Sequence, residues 1–339
     1  MLEKEKTYHE ADRSNHEIVR SESRMNRYFT VNRIEFAVTY QCNSKCRHCQ
    51  LGEERERKRI PSHIDKDKAV EIVRKVGDKY GPRSVMTFGG EPLLHPEIVY
   101  AIHKEATNVG IPLRDVITNG FWARRTEETE KVAADLVESG VNEVHISVDC
   151  FHQEFVPLEI VSKAAEALVK AGMTRVVWNP SWVVSKDKDN VYNRKTKVIL
   201  EKLRDLPIEI SEGNNVRPEG RAIAWLREFL PPKTKMPKGK CGDMPYTEPL
   251  DSIRTVCVEP DGRIAVCKEF YIGNAFEVDV IDIIEDYDPF KIPEAKALIE
   301  DGMGGLIDWG RERSVEPDPE GYYNICHLCT DMRRRANLA

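Results

Sequence analysis

Cys42, Cys46 and Cys49 fall in one C-x3-C-x2-C run, Cys42-Asn43-Ser44-Lys45-Cys46-Arg47-His48-Cys49. Thiolates are soft ligands that select zinc, copper(I) and iron–sulfur clusters. Three of them on one short loop can hold three corners of an iron–sulfur cube and leave the fourth iron without a protein ligand. An open iron is what chemistry needs, as opposed to electron storage. The same spacing also suits zinc, with His48 as a fourth ligand. Five more cysteines lie beyond residue 240: Cys241, Cys257, Cys267, Cys326 and Cys329. Cys326-His327-Leu328-Cys329 is a C-x2-C pair, which brings two sulfurs to one metal atom or cluster edge by local geometry. Two metal centres are expected, and Cys150 stands apart from both.

The elements that must position these residues read as alternating strands and helices. Arg33–Thr39 is a strand, and Ala69, Ile72, Val73 and Val76 then recur at helical spacing. Ser84–Phe88, Asp115–Thr118, Glu143–Val148, Arg175–Val184 and Ile208–Ser211 are the later strands, with amphipathic helices between them. Gly140 and Gly172 stand where two of those helices should stop. Strand–helix alternation at roughly 30-residue spacing implies a parallel sheet with right-handed crossovers. Ligands of such sheets bind at the C-terminal strand ends, and the first cysteine run follows the first strand directly. Proline removes a ladder donor, so Asn179-Pro180 predicts a bulge or an early end in the fifth strand.

A run of prolines and lysines over 231–240 reads as a linker. Beyond it, Arg254–Val258 and Arg263–Cys267 flank Glu259-Pro260-Asp261-Gly262, a hairpin signal. Short helices are expected near Val280–Asp286 and Pro293–Asp301. The division is therefore a polar leader (1–32), an α/β unit (33–230), a linker (231–240) and a cysteine-bearing unit (241–339).

The 339-residue chain is long enough to build a core without disulfides. Its charged fraction is 32%, and no apolar run is long enough to span a bilayer. A net charge of −6 with both signs interspersed disfavours a dedicated nucleic-acid or membrane-surface binder. The N-terminus lacks the apolar stretch of a secretory signal, so a cytoplasmic location is expected. There, nine cysteines serve as metal ligands or buried thiols and not as disulfides. The charged run 53–59 reads as a solvated face.

The run Cys42–Cys49 resembles the cluster loop of the radical S-adenosylmethionine (SAM) superfamily, with His48 at the usually aromatic position. Three further segments match that family in order. Gly89-Gly90-Glu91-Pro92 resembles the motif that holds the SAM amino group. Physically, paired glycines permit close backbone approach and Glu91 offers a carboxylate to an ammonium. Thr118-Asn119-Gly120 resembles the segment lining the SAM carboxylate and ribose. Ser147-Val148-Asp149 resembles the pair that contacts ribose hydroxyls, and two-residue spacing puts Ser147 and Asp149 on one face. Gly220-Arg221 is similar to a Gly-Arg segment of several members, with Arg221 toward the SAM carboxylate. No clear adenine motif stands at the fifth strand. The resemblance covers roughly residues 33–225 and implies a partial (βα)6 TIM-type barrel. It also implies a [4Fe-4S] cluster, SAM, an electron donor of flavodoxin or ferredoxin type, and a 5′-deoxyadenosyl radical that takes hydrogen from a substrate.

The C-terminal part, a β-hairpin followed by helices, resembles the auxiliary-cluster extensions known as SPASM and twitch domains. Gly262 and Cys267 match their G-x4-C. The resemblance implies Cys241, Cys267, Cys326 and Cys329 as ligands of one auxiliary [4Fe-4S] cluster, with Cys257 as substitute. A four-cysteine zinc site is the alternative. Cys150, after Asp149, is a candidate hydrogen donor to a substrate radical, or else a buried apolar residue. His152 and Glu154 either face substrate or solvate the loop. Families with such extensions act most often on peptides or proteins, the first substrate class. The short leader argues against that and keeps small-molecule or cofactor biosynthesis as the second. A non-enzymatic metal-binding or electron-transfer protein is the third reading.

Overall fold

The computed structural model describes residues 26–51, 61–245, 247–268 and 270–337. The charged run 53–59 and residues 1–25 of the leader lie outside the described residues.

Six strands of the α/β unit run parallel in the main sheet. They are β1 (Phe29–Thr39), β2 (Ser84–Gly89), β3 (Leu113–Thr118), β4 (Glu143–Ser147), β5 (Arg175–Asn179) and, after the two-residue β6 (Ser181–Trp182), β7 (Glu209–Ile210). Helices α1 (Lys66–Tyr80), α2 (Pro96–Asn108), α3 (Thr126–Glu138), α4 (Leu158–Lys170) and α5 (Val191–Glu201) connect them. β5 ends at Asn179 as Pro180 requires, and the chain leaves the main sheet to pair β6 with β8 (Asn214–Asn215). The expected single strand Arg175–Val184 is thus two strands in two sheets.

β1 starts at Phe29 and not at Arg33, because Phe29 and Val31 are buried and Phe29 pairs with Ile253. That partner belongs to β9 (Ile253–Val258), the first strand of the expected hairpin. β9 lies parallel to β1, and β10 (Arg263–Cys267) and β11 (Phe270–Asn274) follow antiparallel. The sheet is therefore one nine-stranded surface, ordered β11-β10-β9-β1-β2-β3-β4-β5-β7. The cysteine-bearing hairpin continues the barrel sheet. The 231–240 stretch also packs back, with Thr234 and Tyr322 exchanging backbone hydrogen bonds at 2.9 and 2.8 Å.

Alternation decides what each face does. Ile34, Phe36 and Val38 of β1, with Val85, Val116, Val144, Ile146 and Trp178, enter the apolar core shared with α1–α4. The intervening positions face inward, and one row of them is largely charged. Glu35, Met86, Asp115, Glu143 and Arg175 stand at one level across five strands, with Cys257 opposite Glu35.

After α6 (Arg221–Leu226) come α7 (Val280–Glu285), α8 (Pro293–Arg311) and α9 (Ile325–Ala336). The expected end near Asp301 is a break, since Gly302 has a φ of 63° inside α8 and the helix then resumes. α9 carries the C-x2-C pair in its first two turns and is capped by Asn324, whose side chain accepts from the His327 N–H at 2.8 Å. Asparagine is a favoured cap. Among the described residues, no helix is long and apolar enough to cross a membrane.

Candidate metal and cofactor site

The loop after β1 presents Cys42, Cys46 and Cys49 at the C-terminal end of the sheet. Cys46 is buried and the other two are half-buried. The Ser44 N–H donates to Cys42 Sγ at 3.3 Å, and Asn119 Nδ2 reaches the same sulfur at 3.7 Å. Donors aimed at a sulfur stabilise its thiolate, the form that binds metal.

Gly89 and Gly90 serve this loop. Gly90 N–H donates to Thr39 O at 2.7 Å and Glu91 N–H to Gln41 O at 2.8 Å. A Cβ on Gly90 would collide with the Gln41 carbonyl oxygen. The close backbone approach read from the sequence is thus to the root of the cysteine loop.

Glu91 is buried at the end of β2 and faces the end of β3. Its carboxylate accepts from Thr118 Oγ1 at 2.8 Å, from Asn119 N–H at 2.7 Å and from Leu93 N–H at 3.1 Å. Burial pushes its carboxyl up to about 7, against the pull of those donors. Pro92 opens a short 3-10 turn that carries Leu93. Thr118 Oγ1 in turn accepts from Gly120 N–H at 3.1 Å. Glu91, Thr118 and Asn119 are one hydrogen-bonded unit that ends on Cys42.

Ser147 and Asp149 follow on β4 and the turn after it, both buried. Asp149 is fully occupied from within. One oxygen accepts from Phe151 N–H at 2.9 Å and His152 N–H at 3.0 Å. The other accepts from His152 Nδ1 at 2.8 Å and Ser181 N–H at 3.1 Å. Burial opposes its charge, yet His152, His48 and the backbone donors outweigh burial and hold the carboxyl well below the usual range. Burial also opposes charge on His152, and Asp149 overcomes it, raising the imidazole. His48 is lowered to about 4, chiefly by burial. His48 Nε2 lies 3.4 Å from Ser181 Oγ, and its ring meets His152 at 4.9 Å. Among the described residues, His48, Asp149 and His152 form the one group of three ligand atoms all within 4.8 Å of one another. With Asp149 already holding four donors, the group is a hydrogen-bonded knot under the cysteine loop. Glu154 pairs with Arg47 of that loop at 3.2 Å.

Arg221 opens α6. Its backbone N–H donates to Cys49 O at 3.1 Å, and its Nε is buried with no hydrogen-bond partner. A buried guanidinium nitrogen without an acceptor calls for an anionic ligand. Cys150 lies in a small apolar cluster with Cys46, Phe151, Val183, Val216, Ala222 and Leu226. Burial pushes its thiol up to about 12, with Thr196 pulling the other way.

The C-terminal cysteines gather elsewhere. Cys241 is pushed up to about 12 by burial and then by the charges of Cys329 and Cys267. Cys326 is pushed up to about 12 by burial, then by Cys267 and Cys329. Cys267 and Cys329 thus act on both Cys241 and Cys326. Cys257 does not join them, since its charged neighbours are Glu35 and Arg33 on the inner sheet face.

That inner face was not singled out in the sequence. Arg33 pairs with Glu35 at 2.7 Å and Asp115 at 3.1 Å, and Glu143 pairs with His145 and Arg175 at 2.7 Å each. Asp115 Oδ1 is buried without a partner. The alternation Arg33-Ile34-Glu35-Phe36 was the available signal.

Residues 36–190 match the model of the Radical SAM superfamily. That stretch, a little under half of the chain, is a radical SAM domain. The chain is an enzyme, and as a radical SAM protein it takes a [4Fe-4S] cluster and SAM and needs a reductant. It is 27% identical over 295 residues to a probable GTP 3′,8-cyclase of Sulfurisphaera tokodaii, covering 78% of this chain and 88% of the relative. The GTP 3′,8-cyclase of Chlorobaculum tepidum is 26% identical over 190 residues, 54% of each chain. A solved structure of anSMEcpe with bound AdoMet superposes with a TM-score of 0.51 at 16% identity, covering 91% of this chain and 99% of that one. That likeness establishes the partial-barrel fold of this radical SAM chain.

Proposed function

We propose that this radical SAM enzyme acts on a small polar molecule, in a step of cofactor biosynthesis, and carries one auxiliary [4Fe-4S] cluster. The observation that carries the substrate class is the alignment over 78% of the chain with a relative called a probable GTP 3′,8-cyclase. The charged inner face supports it. Arg33, Glu35, Asp115, Glu143, His145 and Arg175 offer paired donors and acceptors to a polar ligand.

The donor set fits the implied groups. Cys42, Cys46 and Cys49 would hold the SAM-binding cluster, with Asn119 and the Ser44 N–H steadying Cys42. Arg221 Nε is the open donor for the SAM carboxylate. Glu91 acts mainly by fixing Asn119 beside Cys42, and Asp149 by fixing His152 and Ser181. When bound, the cluster and SAM supply a 5′-deoxyadenosyl radical that abstracts hydrogen from substrate.

Cys241, Cys267, Cys326 and Cys329 would hold the auxiliary cluster. A zinc ion at about 2.3 Å from each sulfur draws four sulfurs to roughly 3.8 Å of one another. Among the described residues, no three of these sulfurs stand within 4.8 Å of one another. A cubane instead takes its four sulfurs on four separate irons.

The test uses reconstituted enzyme, SAM and dithionite with cell extract divided by a filter that passes nucleotides and retains proteins. GTP is the first pure compound tried. Stimulation of 5′-deoxyadenosine release by the small-molecule fraction, surviving protease, is expected. Stimulation confined to a protease-sensitive fraction would overturn the substrate class.

A further inference from the structure

Cys267 ends β10, whereas Cys326 and Cys329 open α9, some sixty residues later in the chain. One side chain ties the two elements together. Arg333 Nε donates to Cys329 Sγ at 3.4 Å, and its Nη2 donates to the carbonyl of Lys268, the residue after Cys267, at 2.9 Å. Its guanidinium lies over the Phe270 ring, 4.8 Å from the centroid. Arg333 is only 3% exposed.

Burying a guanidinium is costly unless its donors and charge are used. Here the planar fork spans a ligand sulfur and the backbone beside a second ligand. The geometry also explains its place in the sequence. Cys329 and Arg333 are four apart on α9, so they share a face. The charge of Arg333 acts on Cys241 and Cys267 as well, pulling against the burial that raises both thiols. Nearby, Lys268 is neutralised by Glu219 at 2.8 Å.

We infer that Arg333 is the positioning residue of the auxiliary site, clasping α9 to the hairpin and donating to a coordinating sulfur so that the reduced cluster is favoured. This rests on the auxiliary cluster proposed above. Hydrogen bonds to ligand sulfurs and net local charge are among the factors that set iron–sulfur potentials. One-electron reduction adds a negative charge to the site, and a buried cation at Cys329 offsets it. Removing that cation moves the midpoint potential down.

The experiment uses the full chain with Cys42, Cys46 and Cys49 all changed to alanine, so that only the C-terminal site binds a cluster. Iron and sulfide are quantified, and the midpoint is read by a redox titration followed by electron paramagnetic resonance. Arg333→Gln is expected to keep iron and shift the midpoint to more negative potential. Arg333→Lys, which keeps charge and loses the fork, is expected to shift it less. An unchanged midpoint in an iron-loaded Arg333→Gln chain would overturn the inference. Should Arg333→Gln lose its iron, Arg333→Lys decides: a lower midpoint supports the assignment and the parent midpoint overturns it. Loss of iron from both, with circular dichroism unchanged, supports the clasp. A parent chain with no iron instead refutes the auxiliary cluster itself, and this inference with it.

Discussion

The Asn119 N–H donates to Glu91 at 2.7 Å while its side-chain amide reaches Cys42 Sγ at 3.7 Å. A buried carboxylate just past β2 thereby sets the position of a donor just past β3 that faces a metal ligand after β1. Three strand ends are coupled through one asparagine.

Glu91→Gln turns an oxygen that accepts from Thr118 or Asn119 into an amide donor, setting two donors against each other. The expected cost is about 1–3 kcal/mol of stability. SAM binding should weaken, because Asn119 and the Cys42 loop lose their common anchor. Urea melts and equilibrium SAM binding check both effects. Wild-type values in both would contradict the coupling.

Metal analysis separates iron from zinc at the second site. Anaerobically reconstituted protein should carry about eight irons per chain, two cubanes, and no stoichiometric zinc. Changing Cys42, Cys46 and Cys49 to alanine should leave about four. Cys257→Ala should leave the iron content untouched, because Cys257 faces Glu35 and Arg33 and not the other four cysteines. One zinc per chain in the triple variant would establish the zinc alternative.

Much of this arrangement was legible in the sequence. The strand ends bearing Gly89-Gly90-Glu91, Thr118-Asn119 and Ser147-Val148-Asp149 follow from local periodicity, and Pro180 ends β5 through the donor it lacks. The side-chain partners did not follow. That Glu91 and Asp149 are occupied by neighbouring backbone depends on how the loops return over the sheet, which no local pattern encodes. The pairing of β9 with β1 joins residues more than two hundred apart. Arg333 was invisible because a lone arginine within Arg333-Arg334-Arg335 reads as a solvated helix end. Arg33 and Glu35 were visible as alternation, yet half-polar strands usually turn their polar face to solvent.

Cys150 sits in apolar surroundings beneath Cys46, so packing is its expected role. Cys150→Ala should leave 5′-deoxyadenosine release and turnover unchanged and cost on the order of 1 kcal/mol of stability. Normal 5′-deoxyadenosine release with loss of the product would instead show that the thiol quenches a substrate radical.

Acid should destabilise the chain through His103. The ring, on α2, is buried against β2, with Nε2 2.9 Å from Thr87 Oγ1 and Nδ1 without a partner. Burial, then the charge of Arg114, lowers it from 6.5 to about 3. In the unfolded chain the imidazole binds its proton near 6.5, so the unfolded state holds more protons between these values. Stability is therefore full above pH 6.5 and falls as pH drops toward 3. Urea midpoints measured from pH 7 to pH 4 should decline less steeply for His103→Gln. Parallel pH profiles would contradict the assignment.

The central claim is that Cys42, Cys46 and Cys49 hold a cluster with one iron left for SAM. A chain with Cys241, Cys267, Cys326 and Cys329 changed to alanine isolates that cluster for electron paramagnetic resonance after reduction. Adding SAM should change the spectrum and release 5′-deoxyadenosine. A reduced cluster whose spectrum ignores SAM, with no nucleoside formed, would contradict the account.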